Sequence, residues 1–206
     1  MKAKLQGWLL FPVILVCLSA NAAPEPIGDP PEGQEVAVFA GGCFWCTEAD
    51  FDKIDGVVST LSGYIGGDAK SANYPAVSAG RTDHIEAVAV FYDPSAVSFS
   101  QLVEAFWPTI DPITPNAQFC DTGPQYRSAV FYADEEQRKI LEASRAALAA
   151  SGRFAQPIVT EILPRTPFYA AEQYHQDYYQ KNPLRYRYYR SRCGRDARLE
   201  ELWGDR

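Results

Sequence analysis

Residues 36–51, VAVFAGGCFWCTEADF, combine a strand, a sharp turn and a helix in one short stretch. The apolar run from Val36 to Ala40 is typical of a strand, and the pair Gly41-Gly42 ends it. After the glycines, apolar residues recur at helical spacing, at Phe44, Ala49, Phe51 and Ile54. The stretch therefore predicts a strand–helix unit that carries two cysteines, Cys43 and Cys46, at its turn.

The segments that follow predict four more strands and three more helices. Ser98 with Gln101, and Asp134 with Gln137, have the spacing of capping boxes at helix N-termini. The predicted strands are 57–64, 84–92, 128–132 and, at a sheet edge, 157–163; the predicted helices are 98–111, 134–152 and 170–181; residues 66–80 and 111–124 are predicted as loops. The order strand, helix, strand, strand, helix, strand over residues 36–132 is the split βαβ pattern. We therefore expect an α+β fold, a ferredoxin-like two-layer sandwich.

The first 22 residues differ in composition from the rest of the chain. Two lysines precede an apolar run from Trp8 to Leu18, and Ala20-Asn21-Ala22 offers the small residues of a cleavage site. This pattern predicts a secretory signal peptide, residues 1–22, that is cleaved near Ala22. Because the apolar run is shorter than the roughly 20 residues of a spanning helix, a stable membrane anchor is not expected.

The rest of the chain predicts one folded unit with irregular ends. Residues 23–35 are rich in proline, glycine and acid and predict a flexible leader. Residues 36–206 predict a single domain, since the chain has 206 residues of which 47% are hydrophobic, enough for one sizeable core. From about residue 182, arginine and tyrosine mix without a clear period, so we expect an irregular C-terminal tail that wraps the surface.

Charge and cysteine usage restrict the class of function. The formal net charge is −7, and loss of Lys2 and Lys4 with the signal peptide makes the exported chain still more acidic. Such a surface repels nucleic acid and anionic lipid, so neither is an expected partner. Beyond the predicted signal peptide the cysteines are too sparse for a disulfide-stapled mini-domain, and a chemical role is expected for them; they are Cys43, Cys46, Cys120 and Cys193.

Cys43 and Cys46 have the spacing of a redox dithiol. A thiol at a strand-to-helix turn lies near unpaired backbone N–H groups, which predicts a lowered pKa for Cys43. Cys46 lies on the same helical face and could close a disulfide with it. A structural zinc site is a weak alternative, because no second close cysteine pair exists, and haem attachment fails because Thr47 stands where histidine is required. His84-Ile85-Glu86 lacks the later cysteine pair of zinc deaminases, so no metal site is expected.

The aromatic pair between the two cysteines separates the remaining alternatives. A thioredoxin-like thiol-disulfide exchanger uses the same spacing, and on the cysteines alone it would be the leading hypothesis. Phe44 and Trp45 favour instead a pocket for an apolar methyl group beside the nucleophile. One of the two aromatic side chains could equally pack inward as core.

Six blocks of the chain, in order, resemble the A-type peptide methionine sulfoxide reductases. The resemblance runs from about residue 36 to residue 183. The blocks are GGCFWCTEADF (41–51), SGYIGG (62–67), NYPAVSAGRTDHIEAV (73–88), DTGPQYRSAVFY (121–132), QPIVTEI (156–162) and AEQYHQDYYQKNP (171–183). The resemblance implies reduction of the S epimer of methionine sulfoxide, free and in proteins, through a cysteine sulfenic acid and an intramolecular disulfide. Repair of oxidised proteins is the implied role, and no bound cofactor is expected.

The resemblance also implies roles for individual residues. It makes Cys43 the nucleophile, and Glu86 the acid that shares a proton with the sulfoxide oxygen; burial is expected to raise the pKa of such a carboxyl. Further residues match the substrate pocket of the family: Phe44 and Trp45 at the substrate methyl group, Tyr74 and Tyr126 at the sulfoxide oxygen, and Asp121 as a carboxylate that orders the pocket.

The chain departs from the family pattern at the cysteines that resolve the sulfenic acid. Many members carry glycine where Cys46 stands, and place a recycling cysteine shortly after the Asn-Pro pair, where this chain has arginine. Cys46 is therefore favoured as the first resolving thiol, with Cys193 as the alternative or as an onward carrier. Cys120 is expected to be either a buried inert thiol or a third redox group.

Turnover requires an external dithiol, and export would place the enzyme beyond the cytosolic pool. We therefore expect a thioredoxin-like reductant outside the cytosol and a periplasmic location. The expected partners are methionine sulfoxide, oxidised proteins and this reductant, and the enzyme is expected to be a monomer. The competing hypothesis, a thiol-disulfide exchanger, would not need Glu86.

Overall fold

The computed structural model of the chain describes residues 23–204. The predicted signal peptide, residues 1–22, lies outside the described residues. Among residues 23–204, no helix has the length and apolar character needed to cross a membrane.

The elements up to the second large helix follow the predicted order with a few additions. Strands β1 (Glu35–Gly41), β2 (Val57–Ile65) and β3 (Ile85–Tyr92) alternate with helices α1 (Phe44–Phe51), α2 (Tyr74–Val77) and α3 (Phe99–Phe106). A 3-10 turn (Trp107–Thr109), the short strands β4 (Ala117–Gln118) and β5 (Asp121–Thr122), and a second 3-10 turn (Pro124–Tyr126) lead to β6 (Ser128–Tyr132). Helix α4 (Glu135–Ala150) follows. The two segments predicted as loops therefore contain α2 and a two-stranded hairpin.

Both predicted helix caps are present. Ser98 and Gln101 form the reciprocal capping box of α3. The Asp134 side chain accepts a hydrogen bond from the Gln137 backbone N–H at the start of α4. The Gln137 side chain, however, accepts from the N–H of Ala133 at 2.9 Å, one residue before the cap.

Six strands form one sheet in the order β7-β6-β1-β3-β2-β8. Strand β7 (Glu161–Pro164) lies at one edge, as predicted, and pairs in parallel with β6, while every other pairing in this sheet is antiparallel. Strand β8 (Phe168–Ala170) lies at the other edge and was not predicted, because its three residues are too few to produce a visible alternation. A mixed α/β architecture is the result.

Both faces of the sheet are buried. In β3 the side chains of Val88, Val90 and Tyr92 join the core against the helices, while Ile85, Ala87 and Ala89 face a second cluster. Successive side chains of β3 thus face opposite sides of the sheet. Ile27 of the predicted leader packs against the second cluster, and its N–H donates to the Phe168 carbonyl at 2.9 Å.

The expectation of an irregular C-terminal tail was wrong. Residues 178–203 form three helices, α5 (Tyr178–Lys181), α6 (Pro183–Arg192) and α7 (Arg195–Trp203). The apolar period is hidden because the inward-facing residues of α6 have polar tips: Tyr186 is buried and the Arg190 guanidinium pairs with Asp50 and Asp196. Only the last turn of the helix predicted over 170–181 forms, as α5.

Helix α1 buries an acidic residue that the sequence did not single out. Glu48 is 0% exposed, and its carboxylate oxygens make no hydrogen bond of standard geometry within residues 23–204. Burial raises the pKa of Glu48 to about 7. The interior therefore favours the protonated form of this side chain.

The substitution Glu48→Gln is expected to remove part of the pH dependence of stability. Because the pKa is raised on folding, the contribution of Glu48 is present below its unfolded pKa and is lost as pH rises through about 7. A pKa shift of this size corresponds to about 3 kcal/mol in the free energy of unfolding. Urea unfolding from pH 5 to 8.5 would measure it: the wild type should lose stability relative to Glu48→Gln as pH rises. A free-energy difference between the two proteins that is constant with pH would contradict the assignment.

Candidate active site

The turn between β1 and α1 places Cys43 at the start of a helix. Gly42 adopts φ +83°, a left-handed conformation that a glycine accepts without strain, and an added Cβ would collide with the side chain of Gln118. Cys43 follows as the N-terminal cap of α1, and its carbonyl accepts hydrogen bonds from the N–H groups of Cys46 and Thr47. The glycine turn thus fixes where the thiol lies.

Cys43 opens into a small cavity of about 50 Å³, the Cys43 pocket. Eight residues line it: Cys43, Phe44, Trp45, Tyr74, Glu86, Asp121, Tyr126 and Tyr189. All the candidate residues except Cys46 and Cys193 are among them, and Tyr189 is the addition. A larger cavity of about 340 Å³, lined by Ile85, Arg127 and Leu163 among others, contains none of these side chains.

Glu86 reaches the pocket from the middle of the sheet. It is 2% exposed, and its Oε2 accepts a hydrogen bond from the Phe44 N–H at 3.2 Å. Burial raises the pKa of Glu86 to about 8, with the hydrogen bond from Phe44 acting against the shift and the nearby Asp121 adding to it. At neutral pH the carboxyl is therefore mainly protonated and can donate a proton inside the pocket.

Two tyrosine hydroxyls face the pocket near Glu86. Tyr74 begins α2, where its N–H donates to Glu172 at 2.9 Å, and Tyr126 ends the 3-10 turn before β6. Burial raises the pKa of Tyr74 to about 12, and it also raises the pKa of Tyr126. Both hydroxyls remain protonated and can donate hydrogen bonds to an oxygen bound between them.

The two aromatic residues between the cysteines have different surroundings. Phe44 is 1% exposed and packs against Tyr64 and Tyr74, so it is both core and pocket wall. The Trp45 ring stacks on Tyr178 at a centroid distance of 3.8 Å, and its N–H donates to His175 Nδ1 at 3.0 Å. Together they give the pocket an apolar side.

His175 holds Trp45 and was not a candidate in the sequence. It is buried, and burial lowers its pKa to about 4, so the ring is neutral and its Nδ1 accepts the indole proton. It was missed because nothing in the sequence distinguishes this histidine from the other polar residues of the block 171–183.

Asp121 and Tyr189 form the remaining wall. Tyr189 donates a short hydrogen bond from its hydroxyl to Asp121 Oδ2, and it lines the pocket together with Cys43. Burial raises the pKa of Asp121, against the effect of the Tyr189 hydrogen bond and of Arg195. Tyr189 was missed because it lies in α6, the helix whose period the sequence hid.

The thiols of Cys43 and Cys46 are both free and buried. The expected lowering of the Cys43 pKa was wrong: burial, Cys46 and the carboxyls of Glu86 and Asp121 raise it. The hydrogen bond from Cys43 lowers the pKa of Cys46 to about 7, assisted by Arg195 and opposed by burial. Of the two thiols, Cys46 is therefore the one that ionises more readily.

The other two cysteines are joined to each other. A disulfide links Cys120, in the turn of the β4–β5 hairpin, to Cys193 at the end of α6. Cys120 is exposed and disulfide-bonded, which excludes the buried inert thiol, one of the two alternatives expected for it. Cys193 Sγ lies 3.9 Å from Asp121 Oδ2, immediately behind the pocket wall.

Comparison with known proteins agrees with this geometry. The family model described as peptide methionine sulfoxide reductase matches residues 35–206. The chain is 49% identical over 170 residues to peptide methionine sulfoxide reductase MsrA of Halalkalibacterium halodurans, covering 82% of this chain and 97% of that protein.

Solved structures are similar as well. Mxr1 from Saccharomyces cerevisiae in reduced form has a TM-score of 0.71 at 33% identity, covering 77% of this chain and 91% of that one. Mxr1 in complex with Trx2 has a TM-score of 0.52 at 25% identity, covering 74% and 89%.

Proposed function

The chain belongs to the peptide methionine sulfoxide reductase family, and from this premise we propose how its pocket performs the reaction. The enzyme reduces the S epimer of methionine sulfoxide, free and in proteins, to methionine. The observation that carries the proposed mechanism is the convergence of Cys43, Glu86, Tyr74 and Tyr126 on one small cavity. The thiol-disulfide exchanger is not favoured.

In the first step the Cys43 sulfur attacks the sulfoxide. The substrate methyl group lies against Phe44 and Trp45, and its oxygen lies between the hydroxyls of Tyr74 and Tyr126. Glu86 donates its proton to that oxygen, and the Glu86 carboxylate takes up the proton that the Cys43 thiol loses, so no net charge builds up in the buried site. The oxygen is transferred to Cys43, which becomes a sulfenic acid, and methionine leaves with its sulfur reduced.

In the second step Cys46 resolves the sulfenic acid. The positive charges of Arg195 and Arg190 favour the Cys46 thiolate, the nucleophilic form, independently of the state of Cys43. Cys46 also lies in the first turn of α1, where its N–H donates to the Cys43 carbonyl at 3.1 Å. The attack forms a Cys43–Cys46 disulfide and releases the sulfenic oxygen as water. Cys193 is the less favoured resolver because it is bonded to Cys120. An onward role for Cys193 would first require that bond to open.

In the third step a dithiol reductant restores both thiols and becomes a disulfide itself. We assign this role to a thioredoxin-like protein, a proposal supported by the complex of Mxr1 with Trx2. The enzyme's own contribution to the chemistry comes from its side chains, and no bound cofactor is proposed.

The processing, location, domain boundaries and oligomeric state of the protein are proposed from its sequence. We propose cleavage near Ala22, export to the periplasm, a single catalytic domain over residues 36–206 and a monomer without a membrane anchor. A ferredoxin-like core is supported by the sheet order of β6-β1-β3-β2 within the larger sheet and by α1 and α3 as its two connecting helices.

A single-turnover experiment tests the proposed function. The protein, with Cys43 and Cys46 reduced and the Cys120–Cys193 bond verified intact by mass spectrometry, is freed of reductant and given S- or R-methionine sulfoxide separately, and the methionine formed per protein is counted. We expect about one methionine from the S epimer, none from the R epimer, and a Cys43–Cys46 disulfide by mass spectrometry. Formation of no methionine from either epimer would contradict the reductase function.

A further inference from the structure

Two contacts join the β4–β5 hairpin to helix α6 next to the Cys43 pocket. The disulfide links Cys120 to Cys193, and the hydrogen bond one residue beyond Cys120 links Asp121 to Tyr189. Tyr189 lies one helical turn before Cys193, whose N–H donates to the Tyr189 carbonyl at 2.9 Å. The covalent link and the pocket contact are therefore adjacent on both segments.

The pocket contact depends on placing two separate elements. Asp121 belongs to the two-residue strand β5, which within residues 23–204 pairs only with the equally short β4, and Tyr189 belongs to α6 in the tail. A two-residue ladder holds its strand weakly, so β5 alone gives Asp121 little restraint. The disulfide closes a separation of 73 residues and fixes β5 against α6.

From this geometry we propose that the Cys120–Cys193 disulfide is a positioning element that holds Tyr189 and Asp121 as a formed wall of the Cys43 pocket. Opened, it would leave β5 free to carry Asp121 away from Tyr189, and the pocket would bind the sulfoxide less well. The proposal rests on the proposed function of the pocket and adds a role for two cysteines that need not touch the substrate.

The rest of the tail does not depend on the disulfide. Arg190 of α6 pairs with Asp50 at 3.2 Å, and Arg195 donates to the carbonyls of Gly41 and Thr109 at 3.1 and 2.7 Å. A variant without the disulfide is therefore expected to fold with its tail docked, and its defect is expected in the pocket wall.

Binding to a non-reacting background tests the proposal. Cys43→Ser protein is purified without reductant, with the Cys120–Cys193 bond verified by mass spectrometry, and the Kd of methionine S-sulfoxide is read from tryptophan fluorescence, since Trp45 lines the pocket. Addition of Cys120→Ser is expected to raise Kd about five- to tenfold, as for the loss of one hydrogen bond. Cys193→Ser should give the same increase, and both together no more, because each removes the same bond.

Two further arms separate positioning from other roles. A small dithiol should weaken binding by the Cys43→Ser protein to the same extent, and should leave the Cys43→Ser/Cys120→Ser protein unchanged. Tyr189→Phe should weaken binding when the disulfide is intact and add little once it is absent. Tyr188→Phe, an exposed neighbour on the same helix, is the matched control.

An unchanged Kd would overturn the proposal. A lower Tm without a change in Kd would mean that the bond only stabilises the fold, and slower turnover with a dithiol protein at unchanged Kd would mean that it carries electrons instead. Absence of measurable binding to the disulfide-intact Cys43→Ser protein would also contradict it. Methionine formation by the wild type is measured independently, so failure of this inference is distinguishable from failure of the proposed function.

Discussion

Replacing Glu86 with glutamine is expected to lower the rate constant for methionine formation by about two to four orders of magnitude, the usual contribution of a positioned acid. Glutamine keeps the size of the side chain and can still accept from the Phe44 N–H, which contacts Glu86 at 3.2 Å. It cannot supply a proton to the sulfoxide oxygen. The measurement is single-turnover methionine formation at saturating methionine S-sulfoxide.

The pH dependence of the same rate constant identifies the acid. Because burial raises the pKa of Glu86 to about 8, the protonated form is present at neutral pH and is lost as pH rises through about 8. The wild-type rate should therefore fall on the alkaline side, and Glu86→Gln should lack this fall. Glu136→Gln, at an exposed position on α4, is the matched control.

The competing hypothesis, a thiol-disulfide exchanger, predicts that Glu86 is not needed for activity. Disulfide exchange through Cys43 and Cys46 transfers no oxygen and needs no proton at a sulfoxide, so Glu86→Gln should hardly change it. A variant that keeps the full rate of methionine formation would exclude Glu86 as the acid.

The first half of the fold could be predicted from local patterns. In β1 and β3 nearly every residue is apolar and both faces are buried, and α3 carries its capping box in the sequence itself. These signals lie within about ten residues of one another and do not depend on the rest of the chain. The C-terminal helices could not be found in this way, because α6 buries tyrosine rings and pairs its arginine with acids far away in sequence.

The pocket was predicted residue by residue through blocks of sequence that resemble the family, and its geometry brings those residues together. The blocks did not include Tyr189, which approaches Cys43 only because α6 folds back. They also did not indicate the pairing of Cys120 with Cys193 across 73 residues. The direction of the Cys43 pKa shift was also missed. The helix N-terminus alone favours a thiolate, but burial beside two carboxyls outweighs it.

Replacing Cys46 with serine is expected to separate the two halves of the catalytic cycle. Attack on the sulfoxide needs only Cys43, and because Cys46 is one of the groups that raise the pKa of Cys43, its removal should not slow that attack. About one methionine per pre-reduced protein should still form. Steady-state turnover with a dithiol protein should be lost, since the Cys43 sulfenic acid then has no adjacent thiolate to resolve it.

The fate of the sulfenic acid decides between the two candidate resolvers. In Cys46→Ser protein it should persist and react with a 1,3-dicarbonyl probe, which mass spectrometry would locate on Cys43. If instead Cys193 resolves it, the same variant would accumulate a Cys43–Cys193 disulfide, and the probe would label Cys43 only in Cys193→Ser protein. A Cys43–Cys193 bond would require the bond to Cys120 to open first, whereas Cys46 is already a free thiol beside Cys43 in the first turn of α1. That difference is why Cys46 is the expected partner.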